Sequence, residues 1–469
     1  MATGFTVTGS TLLLLLAAAI VVMVFMISKL KIHPFISLFA VALFMGLVSG
    51  LPLLQVTDTI AAGFGNTCRS IGIVILFGTI IGAMLEGSGG AVTMADTVLR
   101  HVGEKRPALA MSIIGWIVSI PVFCDSGFVI LSSLNRSMAR RSGARMATMA
   151  IALSTGLYAT HTLVPPTPGP IAAAGNLGAD LGLVILWGIV ASIPAMLAGY
   201  LYAVTAGNRL ELEMPEGEDW NAMIQRHIRL PSPGQAFAPL ILPLILIALS
   251  SAVNYPAILS IIGKGSALHT VITFVGNPMI ALFVGLLLCI PLASFRRFNG
   301  EETWSHWLAK GVRDGASIIM ITAAGGSLGA IIAATKVGDY IGAQLARFDL
   351  GIFLPFIISA ALKTAQGSST VALITTSTIT APLLSSLGLG SPMGAVLATL
   401  SIGCGAMVVS HANDSYFWVV AQFSDMDIGT AYRAQTIATL IEGVVGVAAV
   451  WGLSLLLHRQ NKPLTVLEA

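Results

Sequence analysis

The stretch Pro121-Val-Phe-Cys-Asp-Ser-Gly-Phe-Val-Ile-Leu-Ser-Ser-Leu134 contains one carboxyl group, that of Asp125. No other charged side chain occurs between Pro107 and Leu134. A helix that crosses the ~30 Å hydrocarbon core of a bilayer needs ~20 apolar residues, and this segment is longer. A carboxylate at membrane depth costs roughly 2.5–3.5 kcal/mol on insertion scales and is usually kept for an ion, a proton or a substrate. The stretch therefore predicts a membrane protein that moves a solute.

The composition of the whole chain supports this prediction. Of 469 residues, 55% are hydrophobic and 10% are charged, and the mean hydropathy is +0.88, whereas a globular domain has ~25% charged residues. The net charge of +3 is too small to predict a nucleic-acid partner. The cysteines form no CxxC or Cys/His cluster, so neither a metal site nor a disulfide framework is predicted. No cofactor is expected. Residues 11–27 lack the flanks of a signal peptide and predict a first transmembrane helix.

The two halves of the chain contain matching segments. A recurring offset of this kind predicts a duplicated chain. Four motifs recur in order at offsets of 244 to 250 residues: His33-Pro34 and Asn277-Pro278, the glycine segments around Gly82 and Gly329, the polar breaks at Asp125-Ser126-Gly127 and Gln366–Thr370, and His161 and His411.

Loop charges predict that the two repeats have opposite orientations. The basic loops at Lys29–Lys31 and Arg136–Arg145 are placed in the cytoplasm by the positive-inside rule. The loop from Arg296 to Arg313 is placed there too, although it follows a helix whose first-half counterpart precedes the base-free loop 51–59. Inverted repeats are typical of alternating-access transporters. We therefore expect a first repeat at residues 1–206, a cytoplasmic linker at 207–235 and a second repeat at 236–469.

The predicted fold is an all-α polytopic membrane protein with about 10–12 transmembrane helices, in two inverted repeats that each contain a re-entrant hairpin and a broken helix. Two helix–break–helix units are predicted at 107–135 and 352–387. Basic residues at both ends of the first unit favour a hairpin that opens to the cytoplasm, and a straight, kinked span is the alternative. The predicted spanning helices are 11–28, 34–50, 69–87, 146–162, 182–204, 236–255, 271–293, 315–334, 393–410 and 434–457.

Helix breakers combine with polar side chains in four segments. These segments are Cys124–Gly127, His161–Pro170 with its continuation to Asp180, Lys363–Thr370 and Ser410–Ser415. Four prolines between 165 and 170 predict a non-helical stretch. A helix that restarts inside the membrane directs unpaired N–H groups and its positive dipole end into the cavity, which favours an anion. Hydroxyl and amide side chains alongside can bond hydroxyl groups, so the inventory suits a small hydroxylated carboxylate.

Each candidate residue has a structural alternative. Asp125 and Asp414 are predicted to take part in proton coupling, with His161 and His411 as ligand or gating residues unless they only pack. Lys363 could neutralise a substrate carboxylate beside Gln366-Gly367, or it could extend to the membrane surface. Serine, threonine and asparagine within the membrane often only join helices. Glu442 is interpreted as marking the aqueous end of the final helix.

Four segments carry a resemblance to a known family. FCDSGFVIL, LVPPTPGPIAAAGNLGADLG, AQGSSTVALITT and SHANDSYFWVV resemble the signature stretches of the gluconate permease (GntP-type) family, over essentially the whole chain. The resemblance implies proton-coupled import of gluconate or a related sugar acid across a bacterial inner membrane, and one branch of the family instead takes D-serine. By this resemblance the matched site positions are Asp125, Ser126, Thr167, Gly169, Asn176, Gln366, Ser368, Ser369, Thr370, Asn413 and Asp414. Lys363 and Gly367 join them as predicted substrate-binding residues.

Other classes of function remain as alternatives. Within transport these are a D-serine-type permease and a cation-coupled carboxylate carrier. An intramembrane enzyme would need a nucleophile with a placed base, and the spacing of His161 and Ser126 does not support such a pair. A passive channel would show flux that neither saturates nor depends on pH. The predicted partners are a small hydroxylated carboxylate, protons and the lipid bilayer, and a homo-oligomer is compatible with the sequence.

Overall fold

The computed structural model describes residues 9–102, 105–212, 229–254, 256–294, 303–335, 350–411 and 414–460. Within these ranges all regular elements are helical. The helices of the first half are α1 Gly9–Ser28, α2 Pro34–Val48, α3 Leu53–Thr67, α4 Ile73–Gly87, α5 Gly90–Val102, α6 Pro107–Val118, α7 Cys124–Ser142, α8 Met146–Leu163, α9 Pro168–Leu177 and α10 Leu181–Thr205.

The second half continues with eleven α-helices in the described ranges. They are α11 Pro233–Val253, α12 Pro256–Ile262, α13 Ala267–Val275, α14 Pro278–Leu288, α15 Trp304–Ala334, α16 Phe353–Gln366, α17 Ser369–Thr380, α18 Pro392–Met407, α19 Ser415–Phe423, α20 Ile428–Ala431 and α21 Ile437–Gln460. Short π-helices at Cys68–Gly72 and Tyr432–Thr436 precede α4 and α21. The linker residues 213–228, the bases Arg296 and Arg297, and Asn413 lie outside the described residues.

Several helices are long and apolar enough to cross a membrane. Among the described residues there are four such helices by length and composition, or up to six if each of two bent helix pairs forms one span. One of the bent pairs joins α3 to α4 at an angle of 49°. Shorter apolar helices of 10–17 residues include α6, α16 and α18. The protein is therefore an all-helical membrane protein with interrupted helices, as the sequence predicts.

The unit formed by α6 and α7 is a helical hairpin. Ser112 of α6 donates to the carbonyl of Ala152 in α8 at 2.9 Å, and Thr160 further along α8 donates to Trp116 at 2.8 Å, so α6 runs parallel to α8. The short turn at 143–145 joins α7 to α8, and Gly127 near the start of α7 faces Leu157, so α7 runs antiparallel to α8. The two helices of the unit therefore run in opposite directions, which excludes a straight, kinked span.

The two halves repeat the same local bonds. Ser112 in α6 donates to α8, and Ser359 in α16 donates to the carbonyl of Ile402 in α18 at 2.8 Å. His33 and Asn277 each accept a backbone N–H two residues ahead and are followed by a proline that begins a helix. The matching segments thus fold alike. Their opposite orientation in the membrane stays a prediction.

Two details of the predicted map are wrong. The proline-rich stretch is helical from Pro168 onward, because proline fits the first turn of a helix, where its missing N–H has no partner to lose. The non-helical part is the short segment 164–167. The loop predicted around 51–59 is also wrong, because residues 53–67, which precede the predicted span 69–87, form α3. Asp58 and Asn66 make this helix less apolar than its neighbours.

Glycines allow the closest helix contacts. A Cβ added at Gly156 in α8 would lie 2.2 Å from the Ser112 carbonyl oxygen, and one added at Gly115 in α6 would lie 2.8 Å from the Leu153 carbonyl oxygen. Backbone atoms cannot move aside as a flexible side chain can. Small residues at such contacts let helix backbones approach each other within a membrane, and here they fix the hairpin against α8.

We expect Gly156→Ala to destabilise the protein by about 1–3 kcal/mol, because the added methyl group overpacks a backbone contact. Gly452→Ala in α21 is the matched control, since a Cβ there meets no atom within 4 Å. That control should change stability by no more than ~1 kcal/mol. Thermal unfolding of both purified variants in detergent measures the difference. Equal melting temperatures for Gly156→Ala and the wild type would show that the hairpin can shift.

Candidate functional site

A buried ion pair joins two helix breaks of the second half. The Lys363 Nζ lies 2.7 Å from Oδ2 of Asp414, and the two side chains are 0% and 5% exposed. Lys363 is in the last turn of α16, and Asp414 precedes α19. The lysine therefore does not extend to the membrane surface. A buried pair of this kind stabilises little in net terms, because desolvation offsets the attraction, so its position calls for a functional explanation.

The break between α18 and α19 holds Asp414 in place. Its Oδ1 accepts the backbone N–H of Tyr416 at 3.1 Å and caps α19, while Ser410 donates to its Oδ2 at 2.5 Å. Val409 in the same break has a φ of 56°. A β-branched residue rarely adopts this left-handed conformation, and such outliers concentrate at functional and switching segments.

Aromatic rings enclose the ion pair on the side of the first half. The Lys363 Nζ lies 5.9 Å from the ring centroid of Tyr158, close enough for a cation–π attraction. Tyr158 packs against Tyr416 with centroids 5.0 Å apart, and Tyr416 donates to the Ser154 carbonyl at 2.8 Å. His161 stacks on Tyr158 at 6.3 Å, and Phe123 lies 5.9 Å from the histidine ring. These rings exclude solvent and connect the hairpin α6–α7 to the ion pair.

Asp125 of the first half lies near the same ion pair. It occupies the first turn of α7, is partly buried, and receives a 3.6 Å hydrogen bond from the Cys124 thiol. The Ser415 side chain is beside its carboxyl group, and Asp414 lies within electrostatic range. Ser126, also partly buried, follows on the same turn. The sequence-predicted acids of the two halves thus meet, one from each repeat.

The predicted breaks at 164–167 and 367–368 also meet. Gly367 has a φ of 94°, which requires glycine, and Ser368 caps α17 by accepting the N–H of Val371 at 3.3 Å. A Cβ at Gly169 would lie 2.7 Å from Leu373 and 3.6 Å from the Cα of Thr370. Packing of α9 on α17 therefore brings the proline-rich segment of the first half against the break between α16 and α17, which is the tip of the second predicted hairpin, 352–387.

Thr167 and the residues at the tip of the second hairpin complete this junction. Thr167 donates to the Val164 and His161 carbonyls at 2.7 and 3.0 Å and so closes its own break. Ser369 is buried and Thr370 is partly buried in the first turn of α17. These hydroxyls lie where α17 begins, beside the helix end that would favour an anion.

Asn176 lies away from the ion pair, at the other end of α9. Its Nδ2 donates to Ser377 at 2.9 Å and to Thr378 at 3.2 Å in α17. Together with Asn66, Ser70 and other small or neutral residues it lines an open cleft of about 440 Å³ between α3, α9, α15 and α17. A larger cleft of about 530 Å³, around 264–280, contains none of the predicted residues.

Of the remaining predicted residues, His411 is described in full, whereas Gln366 and Asn413 are not. His411 bonds the Thr364 carbonyl through Nε2 at 2.8 Å, so it fastens the break to the end of α16 rather than facing Asp125. The Gln366 side chain and the whole of Asn413 lie outside the described atoms. The structure thus brings Asp125, Lys363 and Asp414 together. His161 packs on Tyr158, the ring next to Lys363.

Three side chains near the site are not predicted from the sequence. Tyr158 and Tyr416 surround the ion pair, and no sequence signal separates them from packing aromatics. Arg69 is exposed in the π-helix between α3 and α4, beside cleft residues Asn66 and Ser70. Arg69 begins the predicted span 69–87, although it lies near the middle of the bent pair Leu53–Gly87. Like Asp125, it is an isolated charge within an apolar segment, and this is the sequence signal that points to it.

The interpretation of Glu442 is wrong. It does not mark an aqueous end, because its side chain is fully buried in α21. Neither of its carboxylate oxygens has a hydrogen-bond partner within the described part of the chain.

Interrupted apolar helices that meet around a buried ion pair define a multi-pass membrane transporter. The fold resembles the crystal structure of the Alcanivorax borkumensis YdaH transporter, with a TM-score of 0.64 and 16% identity over 90% of this chain and 99% of that one. The gluconate permease of Pseudomonas aeruginosa is 32% identical over 461 residues, which cover 95% of this chain and 98% of the relative. The D-serine transporter DsdX of Escherichia coli K12 is 30% identical over 440 residues, which cover 93% and 97%.

The GntP family permease profile matches residues 11–456. The chain therefore belongs to the GntP permease family and is a multi-pass inner-membrane transporter. The family resemblance inferred from the sequence is confirmed.

The Lys363–Asp414 pair predicts a strongly non-additive mutant cycle. Lys363→Met leaves a buried carboxylate without its partner and should cost about 3–5 kcal/mol. Asp414→Asn keeps the cap on α19 but leaves the lysine alone. The double variant removes both charges and should recover most of the loss. Thermal unfolding in detergent of all four proteins gives the coupling energy. A double variant as unstable as the two single losses combined would show that the charges do not interact.

Proposed function

We propose that the protein imports gluconate or a related sugar acid by proton symport with alternating access. The observation that carries this proposal is the buried Lys363–Asp414 pair, which faces a second acid, Asp125, across the junction of the two repeats. Family membership and the gluconate permease named among the relatives support the substrate class. The pair and Asp125 together supply one cation for a carboxylate and two acids for protons.

Substrate and proton would be coupled through competition for Lys363. In the described state Asp414 neutralises the lysine. A proton on Asp414 removes its charge and frees Lys363 to bind the carboxylate of the substrate through charge-assisted hydrogen bonds. Without that proton, the substrate would have to displace a buried carboxylate. Binding of the acid and binding of the proton would therefore favour each other.

The hydroxyl chain of the substrate would extend toward the tip of the second hairpin. Ser369 and Thr370 begin α17, and Thr167 and Gly169 lie opposite them on the first repeat. The N-terminal end of α17 adds backbone N–H donors and a favourable dipole for the acid end. Ser126 on α7 would bond a hydroxyl group, and the cleft at Asn176 would admit a polyol.

A D-serine-type substrate is the second candidate. The relative DsdX is named for D-serine, and an amino acid has both a carboxylate and an ammonium group. Lys363 could hold the first, and the partly exposed carboxyl of Asp125 could hold the second. Use of Asp125 for an ammonium would leave the proton to Asp414.

Uptake by purified protein in proteoliposomes tests the function. Labelled gluconate should accumulate only with an inward proton gradient, and unlabelled gluconate should exchange with it in counterflow. An excess of D-serine should leave the uptake unchanged, since it offers no polyol chain. Inhibition of uptake by D-serine as strong as by gluconate would support the second candidate. Accumulation driven by a sodium gradient would indicate a cation-coupled carrier, and flux without saturation would indicate a channel.

Asp125→Asn should abolish accumulation against a gradient, because Asp125 is the more exposed of the two acids and its amide can neither bind the driving proton nor pass it to Asp414. Counterflow of gluconate at equal pH should retain at least about a tenth of its rate, since the lysine remains. Asp96→Asn is the control; Asp96 forms a surface pair with Arg100 at 2.8 Å, away from the site. If the Asp125 variant still concentrates gluconate, Asp414 takes up the coupling proton without the help of Asp125.

A further inference from the structure

The last helix contains a buried polar face that the proposed site does not use. Gln435 and Glu442 are both 0% exposed. Neither the amide of Gln435 nor the carboxyl of Glu442 has a hydrogen-bond partner within the described ranges. Two such side chains are unusual, because buried polar groups are nearly always satisfied. An unpaired carboxylate in an apolar interior is costly, and a proton removes that charge.

Gln435 and Glu442 lie on one face of the last helix, with Thr439 between them. They are spaced three or four residues apart, so they share a helical face. Gln435 belongs to the π-helix Tyr432–Thr436 that leads into α21, and single π-helical turns often occur at functional sites. The same helix approaches the end of α18 closely, since a Cβ at Gly443 would lie 2.3 Å from Val408.

Hydrogen bonds connect this face to the ion pair. Thr439 accepts the backbone N–H of Ser410 at 3.0 Å, and Thr436 donates to the carbonyl of Ser410 at 2.6 Å. The hydroxyl of Ser410 in turn donates to Asp414. The polar face of α21 is therefore one residue removed from the acid that neutralises Lys363.

No described basic side chain is bonded to Glu442. Cys404 of α18 and Tyr416 of α19 lie within electrostatic range of it. On α8 the ionisable groups are Tyr158 and His161, which stack on each other. On α10 and the π-helix they include Tyr202, which donates to the Arg433 carbonyl, and the exposed Arg433 itself.

We infer that Glu442 is a second proton-binding acid, held neutral on the buried face of α21 that it shares with Gln435 and Thr439. Thr439 fastens this face to the break that contains Asp414, through the backbone N–H of Ser410. Loss of the proton would leave an unpaired carboxylate in an apolar interior, so deprotonation of Glu442 is expected to loosen the packing of α21 against that break. The use of this proton in transport rests on the proposed symport, but the binding of the proton by Glu442 does not.

Infrared difference spectroscopy measures proton binding without transport. Spectra of the detergent-purified protein at high and low pH should contain a carbonyl band of a neutral carboxylic acid that is missing in Glu442→Gln. The matched control is Glu86→Gln, which removes a partly exposed glutamate paired with Lys310 at 2.8 Å and should keep the band. Asp414→Asn should keep the Glu442 band, because that band belongs to a separate acid. Identical difference spectra for the wild type and Glu442→Gln would overturn the inference.

Transport separates the inference from the proposed function. In proteoliposomes Glu442→Gln should lower proton-driven accumulation of gluconate at least tenfold, while counterflow keeps at least a third of its rate. Glu442→Asp, which restores an acid, should regain part of the accumulation. If the wild type shows the band but no proton-driven uptake, symport is wrong and Glu442 still binds a proton. If Glu442→Gln accumulates gluconate like the wild type, the proton on Glu442 takes no part in transport and that part of the inference is wrong.

Discussion

Removal of Lys363 and Asp414 from water constrains the rest of the structure. Two opposite charges at this depth attract strongly, but the attraction barely offsets their desolvation unless every remaining donor and acceptor is satisfied. Ser410, the N–H of Tyr416 and the ring of Tyr158 provide this second layer of contacts. The pair can form only where α16 ends and α19 begins, so both helices must be interrupted at the same depth. The breaks and the pair therefore depend on each other.

Duplication explains the frame of the site but not its charge. Ser112 and Ser359 make the same bond from hairpin to broken helix in each half. One turn later the first half has Trp116, whose indole bonds Ser192, where the second half has Lys363. The first half instead places an acid, Asp125, at its hairpin tip. Similar folds with different side chains thus produce one site with a cation from one repeat and a facing acid from the other.

The sequence predicts the interruptions well because proline, glycine and isolated charges have local effects on a membrane helix. Asp125 could be located from its apolar surroundings alone. The partner of Lys363 could not, because the contact with Asp414 spans 51 residues and depends on two breaks that meet only in three dimensions. Glu442 was misplaced for a similar reason. The sequence around a lone acid near the end of an apolar helix is the same whether that side of the helix is exposed to water or packed against α18.

Under the proposed mechanism, the same geometry would accommodate either gluconate or D-serine, the solutes for which two relatives are named. Both substrates present a carboxylate, for which Lys363 is the buried cation at the junction. The two substrates differ in the charge that they require on Asp125. An ammonium group needs an ionised Asp125, whereas proton binding at Asp125 needs the same carboxyl to become neutral, so this residue cannot serve both purposes in one step. A chain that uses Asp125 for the proton therefore has no anion left for the ammonium and favours a hydroxylated acid. Under the proposed symport, the charge of Asp125 would therefore decide between the two substrate classes, and the hydroxyls of Ser126, Ser369 and Thr370 would then distinguish among the acids.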